Sequence, residues 1–231
     1  MARTHVGFKA ALALSLSLMP WLPASAQAGR AAMGLRFGTL GGGAEAAVGL
    51  TSRLAVRTSI NYFSLSQDED IQGIAYNVTP RLLSVPLLLD LHPGAGSFRL
   101  SAGVVFNRNR AAGDGRVDGS VFIGENQYTS AEVQALRGEV AFKRVAPFAG
   151  LGFDNSLFGG GRVAFSFELG VMFHGHPRAG LTGRTTLAGA ERDRFDSDLR
   201  AEEREIQDEI DDLPGAIDYY PVLGFGLKYR L

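Results

Sequence analysis

Cysteine is absent from this sequence of 231 residues, which excludes a disulfide framework and every site built on a thiolate. Neither sign of charge is in clear excess, since the chain has 23 Lys and Arg and 24 Asp and Glu, a formal net charge of −1. Without a basic excess, we expect no nucleic acid among its partners. After residue 28, no apolar run reaches the roughly 20 residues that a transmembrane helix needs.

The first 28 residues are predicted to be a cleavable signal peptide. Arg3 and Lys9 give a positive start, an apolar stretch covers residues 10–22, and A-x-A cleavage patterns end at Ala26 and Ala28. Cleavage after Ala28 would remove both cations, change the net charge to −3 and leave residues 29–231 as one domain. Export through a signal peptide is therefore expected.

Residues 219–231 show the strongest strand pattern. The odd positions are bulky and apolar, whereas the even positions are mostly small or cationic, which is the two-residue period of a β-strand. Tyr219 and Tyr229 lie on the apolar face ten residues apart. In a tilted strand this separation is about 25 Å, the distance between the two aromatic girdles of a transmembrane barrel. We therefore assign both tyrosines to aromatic girdles.

The same alternation recurs upstream, and its second face carries too few charges to coat a soluble protein. Counting these segments predicts an all-β fold, an eight-stranded antiparallel transmembrane β-barrel with both ends in the periplasm. The longer connections, residues 65–73, 108–144 and 176–217, would then be external loops. The predicted strands cover residues 32–40, 43–50, 53–64, 74–91, 97–107, 145–154, 162–175 and 218–231.

Three segments add a family resemblance: residues 84–93 (SVPLLLDLHP), 146–153 (APFAGLGF) and 219–231 (YYPVLGFGLKYRL). With the signal peptide and the even strand number, they resemble the small proteobacterial outer-membrane barrels, the group of the OmpA transmembrane domain, OmpX and OmpW. The resemblance covers nearly all of the mature chain. It implies a Gram-negative outer membrane, contact with its lipid and lipopolysaccharide, and insertion by the barrel-assembly machinery. The chain departs from that group at Leu231, where those barrels end in Phe or Trp.

Charged residues on the inward face form the candidate site. Eight strands enclose a volume that side chains fill, and charges buried there must pair. We expect a structural network of salt bridges that plugs the lumen, with an ion path gated by the same pairs as the alternative. The predicted members are Arg36, Glu45, Arg57, Asp90, Arg99, Glu168, Lys228 and Arg230.

Residues 190–213 break the strand pattern and predict an external amphipathic helix before the last strand. Phe195, Leu199, Ile206 and Ile210 follow a helical spacing, and Pro214-Gly215 ends the segment. Eleven acids against four arginines give this segment a charge of −7. We expect its apolar side to pack on the rim of the barrel or on neighbouring loops, and its carboxylates to face outward. It is also a possible surface for a partner.

Two local patterns resemble metal-binding motifs, but each lacks a ligand that a metal site needs. Residues 114–125 approach the EF-hand calcium loop, yet Arg116 stands where a carboxylate ligand is needed, and the flanks predict a hairpin instead. His174 and His176 form an H-x-H pair at the end of the seventh predicted strand, but no third ligand is recognisable nearby in the sequence. We expect no metal site and no other cofactor.

An enzymatic role has little support in the sequence. Lipid A deacylases carry a His-x-Ser pair, but the residues two positions after His92, His174 and His176 are Gly94, His176 and Arg178. We expect a non-enzymatic outer-membrane protein with a structural or surface-interaction role. The alternatives are a narrow channel for ions or small apolar solutes and an outer-leaflet lipid-modifying enzyme.

The first prediction concerns compartment and folding. The mature protein should fractionate with the outer membrane and migrate differently on gels before and after boiling, because the closed sheet of a barrel resists detergent until it is heated. Fractionation followed by electrophoresis of boiled and unboiled samples measures both. Recovery as a soluble periplasmic protein would contradict the barrel assignment.

Overall fold

The structure is a computed structural model that describes residues 30–64, 67–71, 74–117, 119–158 and 161–231. In these residues, the backbone hydrogen bonds define fourteen strands and one α-helix. The elements are β1 Ala31–Gly38, β2 Gly41–Gly49, β3 Leu54–Ser64, β4 Gln67–Ile71, β5 Ile74–Leu91, β6 Phe98–Asn107, β7 Arg110–Arg116, β8 Ser120–Ile123, β9 Asn126–Thr129, β10 Val133–Ala141, β11 Val145–Asp154, β12 Val163–Phe173, β13 Arg178–Thr185, α1 Gly189–Asp211 and β14 Tyr219–Arg230.

Eight of these strands close a barrel, and this confirms the predicted fold. Each pairs antiparallel with the next in the order β1, β2, β3, β5, β6, β11, β12, β14, and β14 returns to β1. Every barrel strand begins and ends within two residues of its predicted bounds. Ala32 pairs with Arg230, so the two chain ends lie together at one end of the barrel. We call the opposite end the distal end.

The barrel is narrow because several inward positions carry no side chain. A Cβ atom added at Gly34 would collide with the backbone oxygen of Leu227, and one at Gly43 with that of Ile60. Both oxygens belong to paired neighbouring strands, so glycine allows the backbones to curve closely around the interior. At the tight turn between β1 and β2, Gly41 has a φ of 99°, a conformation that favours glycine.

Large apolar side chains cover the outside of the barrel. Leu35, Phe37 and Phe165 are 57%, 62% and 68% exposed, which is the reverse of a soluble protein. Tyr219 and Tyr229 lie on the same outer face at opposite ends of β14, and Leu223, Phe225 and Leu227 lie between them. An apolar band bounded by tyrosines is the outer surface that a lipid bilayer requires.

The barrel continues at its distal end as an open sheet, where the sequence predicts only long loops. This distal sheet consists of β4, residues 74–81 of β5, β7, β10 and β13. Its short strands, such as β13 (RAGLTGRT), are rich in Gly, Ala and polar residues and lack bulky alternation. Their pairing rests on β5, which at 18 residues is long enough to serve both the barrel and the distal sheet. β8 and β9 form a separate hairpin, as predicted for this segment.

The helix α1 packs on the distal sheet and the β8–β9 hairpin. Phe195 and Leu199 are buried, and each contributes on the order of 1.5–3 kcal/mol by removing apolar surface from water. Phe195 meets the ring of Tyr128 edge to face at 5.2 Å. The other buried members of this cluster are Val117, Ile123, Tyr128 and Val133.

Some carboxylates of α1 point toward the protein, contrary to the expectation that all face outward. Glu203 accepts a hydrogen bond from the Leu181 backbone N–H at 2.9 Å, and Gln207 accepts one from that of Ala179 at the same distance. Asp198 accepts the hydroxyl of Tyr128 at 2.6 Å. Burial and this hydrogen bond raise the pKa of Tyr128 to about 12. Polar side chains of α1 thus cover the free edge of β13, which would otherwise expose unpaired backbone groups.

The predicted signal peptide lies outside the described residues. Among the helices that the structure describes, none has the length and apolar character of a membrane-spanning helix.

The second prediction follows from the separation of α1 from the barrel. Replacing residues 191–212 with a short Gly-Ser linker removes no hydrogen bond between the eight barrel strands, so the variant should keep the wild-type gel shift on heating. The distal sheet, in contrast, should become sensitive to protease because the edge of β13 and its apolar face are uncovered. Limited proteolysis followed by mass spectrometry measures this. A barrel that no longer folds would show that α1 is part of the folding unit.

Candidate functional site

Charged side chains meet in one layer inside the barrel, and Arg57 lies at its centre. Arg57 is 1% exposed. Its Nη1 is 3.1 Å from Glu45 Oε2, its Nε is 2.7 Å from Asp90 Oδ2, and its Nη2 is 2.5 Å from Glu168 Oε1. One guanidinium therefore binds three carboxylates from three different strands, and its planar arrangement of donors suits this role better than a lysine would.

Three further cations complete the layer. Arg36 bridges Glu45 and Glu168, with an N–O distance of 2.8 Å to each. Arg99 donates to Asp154 at 2.7 Å, and Lys228 donates to the same carboxylate at 2.6 Å while also pairing with Glu45. Four cations thus face four carboxylates, and the layer as a whole is neutral.

Each of the eight barrel strands contributes one member to this layer. In the order of the strands, the members are Arg36, Glu45, Arg57, Asp90, Arg99, Asp154, Glu168 and Lys228. Since a shift of one residue in any strand would turn its charge outward, the layer links the register of all eight strands.

Seven of the eight residues proposed from the sequence are brought together here, and one is not. Arg230 lies at the end of β14, where its Nε donates to the Ser156 carbonyl at 2.5 Å and its Nη2 to the Asn155 carbonyl at 3.1 Å. It therefore binds a turn and lies apart from the carboxylates of the layer. Arg230 is two residues beyond Lys228, at the end of β14, and this strand end lies outside the charged layer.

The member that is missing from the sequence-based set is Asp154. It shares the parity of Ala146 and Phe148, both buried inside the barrel, so alternation along β11 is the signal that identifies it. Its place at the end of the strand, next to a turn, makes that signal easy to overlook. Its carboxylate also accepts the backbone N–H of Ser156 at 2.9 Å, which ties the turn to the charged layer.

Little free volume remains among these groups. The gap lined by Arg36, Glu45, Arg99, Ser166 and Glu168 is too small to admit a water molecule. The uncharged hydroxyl of Ser101 also donates a hydrogen bond to the Asp90 carboxylate at 2.6 Å. Direct pairing, with no room for solvent in this gap, is how such closely packed charges are stabilised.

An apolar layer fills the barrel on the distal side of the charges. All its residues are at most 4% exposed, and all except Leu40, which lies in the turn between β1 and β2, alternate with lipid-facing side chains along their strands. They are Leu40, Leu88, Val105, Ala146, Phe148, Met172 and Val222.

A second apolar cluster fills the end where the chain termini lie. Ala32, Ala47, Ala55 and Leu157 are buried, and Phe158 packs against them. The ring of His92 meets that of Phe158 at 4.5 Å, and burial lowers the pKa of His92, which favours the neutral imidazole. The interior thus has three layers, in the order apolar, charged, apolar.

In the structure, residues of the two patterns that resemble metal-binding motifs make other contacts. His174 is buried between Phe142 and Tyr220, with ring centroids 4.3 and 5.9 Å away, and burial lowers its pKa. His176 instead pairs with Asp218 at 2.5 Å. Within the described ranges, no group of three His, Asp or Glu side chains is arranged to hold a metal ion.

The calcium-like segment is also occupied by other contacts. Asp114, its first residue, binds Arg137 of β10 at 2.8 Å across the distal sheet. The second half of the segment forms β8 of the hairpin. Asp118 lies outside the described residues.

The architecture defines a class: a closed antiparallel eight-stranded barrel of the outer-membrane type, with an apolar exterior and a charged layer in its interior. Two solved structures share this fold. Acinetobacter baumannii CarO2 is 17% identical with a TM-score of 0.51, over 87% of this chain and 98% of that chain. CarO from the same organism is also 17% identical with a TM-score of 0.51, over 87% of this chain and 97% of that chain.

A major outer membrane protein from Thermus thermophilus is 13% identical with a TM-score of 0.45, over 88% of this chain and 100% of that chain. Neither a family model nor a curated protein matches the sequence. The resemblance to small outer-membrane barrels is thus confirmed at the level of fold, whereas membership of the OmpA, OmpX and OmpW group stays a prediction.

The third prediction concerns the charged layer. Glu168→Ala should lower the free energy of unfolding by about 3–5 kcal/mol, because Arg36 and Arg57 lose a shared carboxylate in a buried site. Urea titration in detergent micelles measures the loss. Ser166→Ala is the control, since Ser166 is buried on the same face two residues away. Equal stability of the two variants would show that Glu168 is solvated and would favour an open pore.

Proposed function

We propose that this protein is an outer-membrane β-barrel with a sealed lumen and a structural or surface-interaction role. The observation that carries the proposal is the filled interior, with a neutral charged layer between two apolar ones. A solute would have to separate several buried ion pairs and displace packed side chains such as Phe148 and Met172. Both steps are costly, so passage through the closed barrel is strongly disfavoured.

The apolar outer surface of the barrel supports a location in the outer membrane. A soluble protein would not cover its surface with exposed Phe, Leu and Ile side chains, whereas a bilayer requires such a surface. Backbone groups are paired around the whole barrel, as a hydrocarbon environment demands. Lipid and lipopolysaccharide are the expected neighbours, and the fold shared with CarO and CarO2 agrees with this location.

The distal end is the part suited to an interaction. There the sheet and α1 rise beyond the apolar band and present an acidic surface, since residues 190–213 carry a charge of −7. With the chain ends in the periplasm, this surface lies outside the cell. A basic or cationic partner would complement it, whereas anionic lipopolysaccharide would be repelled.

The fourth prediction tests the sealed lumen against the channel alternative. Wild-type protein reconstituted in planar bilayers should show no discrete conductance steps. The variant Arg57→Ala with Glu168→Ala should also show no steps, because it keeps the layer neutral and the two apolar layers still close the lumen. Gel mobility before and after boiling confirms that both proteins are folded. Reproducible steps from the wild type would make the channel the better assignment.

A further inference from the structure

A groove of about 280 Å³ lies between α1 and the distal sheet. On the sheet side it is lined mainly by small residues: Ala111, Gly113, Gly138, Val140 and Ala179. Ile206 of α1 lies opposite them. An apolar cavity of about 150 Å³ in a protein is large enough to bind benzene. This groove therefore has room for a short alkyl chain or a ring system.

The groove is held open by contacts on either side of it. Toward the start of α1, Phe195 packs so closely on Gly183 that a Cβ atom there would be 2.5 Å from its ring. Toward the end of α1, Gln207 is bonded to the backbone of Ala179. Between them, a Cβ atom added at Gly138 would meet nothing within 4 Å. The helix is fixed at a distance that the small residues of the sheet cannot fill.

The Glu203 carboxylate of α1 completes the lining. One oxygen of Glu203 accepts the Leu181 N–H at 2.9 Å, which leaves its second oxygen for another donor. Glu139 of β10 also borders the groove, but its side chain lies on the other face of the sheet from Gly138 and Val140, near Arg110. An apolar groove with a carboxylate in its lining, beneath a helix of strong negative charge, selects for positive charge on what it binds.

We propose that this groove binds a small cationic amphiphile, whose apolar part lies between Ile206 and the sheet and whose ammonium group meets Glu203. The site goes beyond the proposed surface role and does not depend on whether the lumen conducts. No segment of the described chain occupies it. Its ligand would arrive from the medium on the distal side.

The fifth prediction is the binding of hexylammonium, with hexanoate and 1-hexanol as matched probes. In lipid nanodiscs containing protein labelled at isoleucine methyl groups, hexylammonium should shift the Ile206 signal saturably. Ile60 faces lipid and reports partition into the bilayer, so it should not follow the same curve. Hexanoate should bind at least about tenfold more weakly, because the Glu203 carboxylate and the acidic helix repel it.

Substitutions assign the site. Gly138→Leu should abolish the Ile206 shift by filling the groove, whereas Thr182→Leu, which places the same side chain at an exposed position on β13, should not. Glu203→Gln keeps an acceptor for the Leu181 N–H and should reduce the preference for hexylammonium over hexanol. That variant also provides the test if Gly138→Leu fails to fold. An unchanged preference in Glu203→Gln, parallel shifts of Ile206 and Ile60, or no shift with any probe would overturn the proposal.

Discussion

The narrow interior of an eight-stranded barrel is the constraint on which the rest of this structure depends. Charged groups in such a volume cannot keep their water and must be paired. This chain meets the requirement with one charged residue from each barrel strand, four of each sign. Because Arg57 binds carboxylates from β2, β5 and β12, residues distant in sequence are held in a common register. The layer therefore specifies which faces of the strands point inward as well as how the charges are stabilised.

The apolar layers on either side explain why the charges remain paired. Phe148 and Met172 separate them from the distal mouth, and Leu157 with Phe158 covers the other end. Water that reached the carboxylates would compete with the guanidinium groups and weaken the ion pairs, since attraction between charges falls as the local dielectric constant rises. Apolar packing and charge pairing thus support each other, and this cooperation is the physical basis of the proposed closed barrel.

The sequence is informative about the barrel because each strand has a lipid face and a lumen face that differ in bulk. This alternation predicts the strand bounds and seven members of the charged layer. It is less informative at the strand ends: Asp154 keeps the inward parity but closes its strand, and Arg230 keeps it but lies beyond the layer. The strands of the distal sheet escape prediction because Gly and Ala on both faces remove the alternation. Which charge pairs with which is also inaccessible from the sequence, since that depends on strand order and side-chain reach.

Polar side chains of α1 protect the edge of the distal sheet. β13 is paired only with β10 in the described chain, so its other edge presents backbone N–H groups. Glu203 and Gln207 accept two of these, which protects the edge from pairing with another molecule. Phe195 and Leu199 supply the apolar attachment, while most of the other carboxylates face solvent. Protection of the edge needs acceptors rather than acids, as Gln207 shows, and it accounts for Glu203 alone among the acids. The acids that face solvent place negative charge around the groove and on the distal surface.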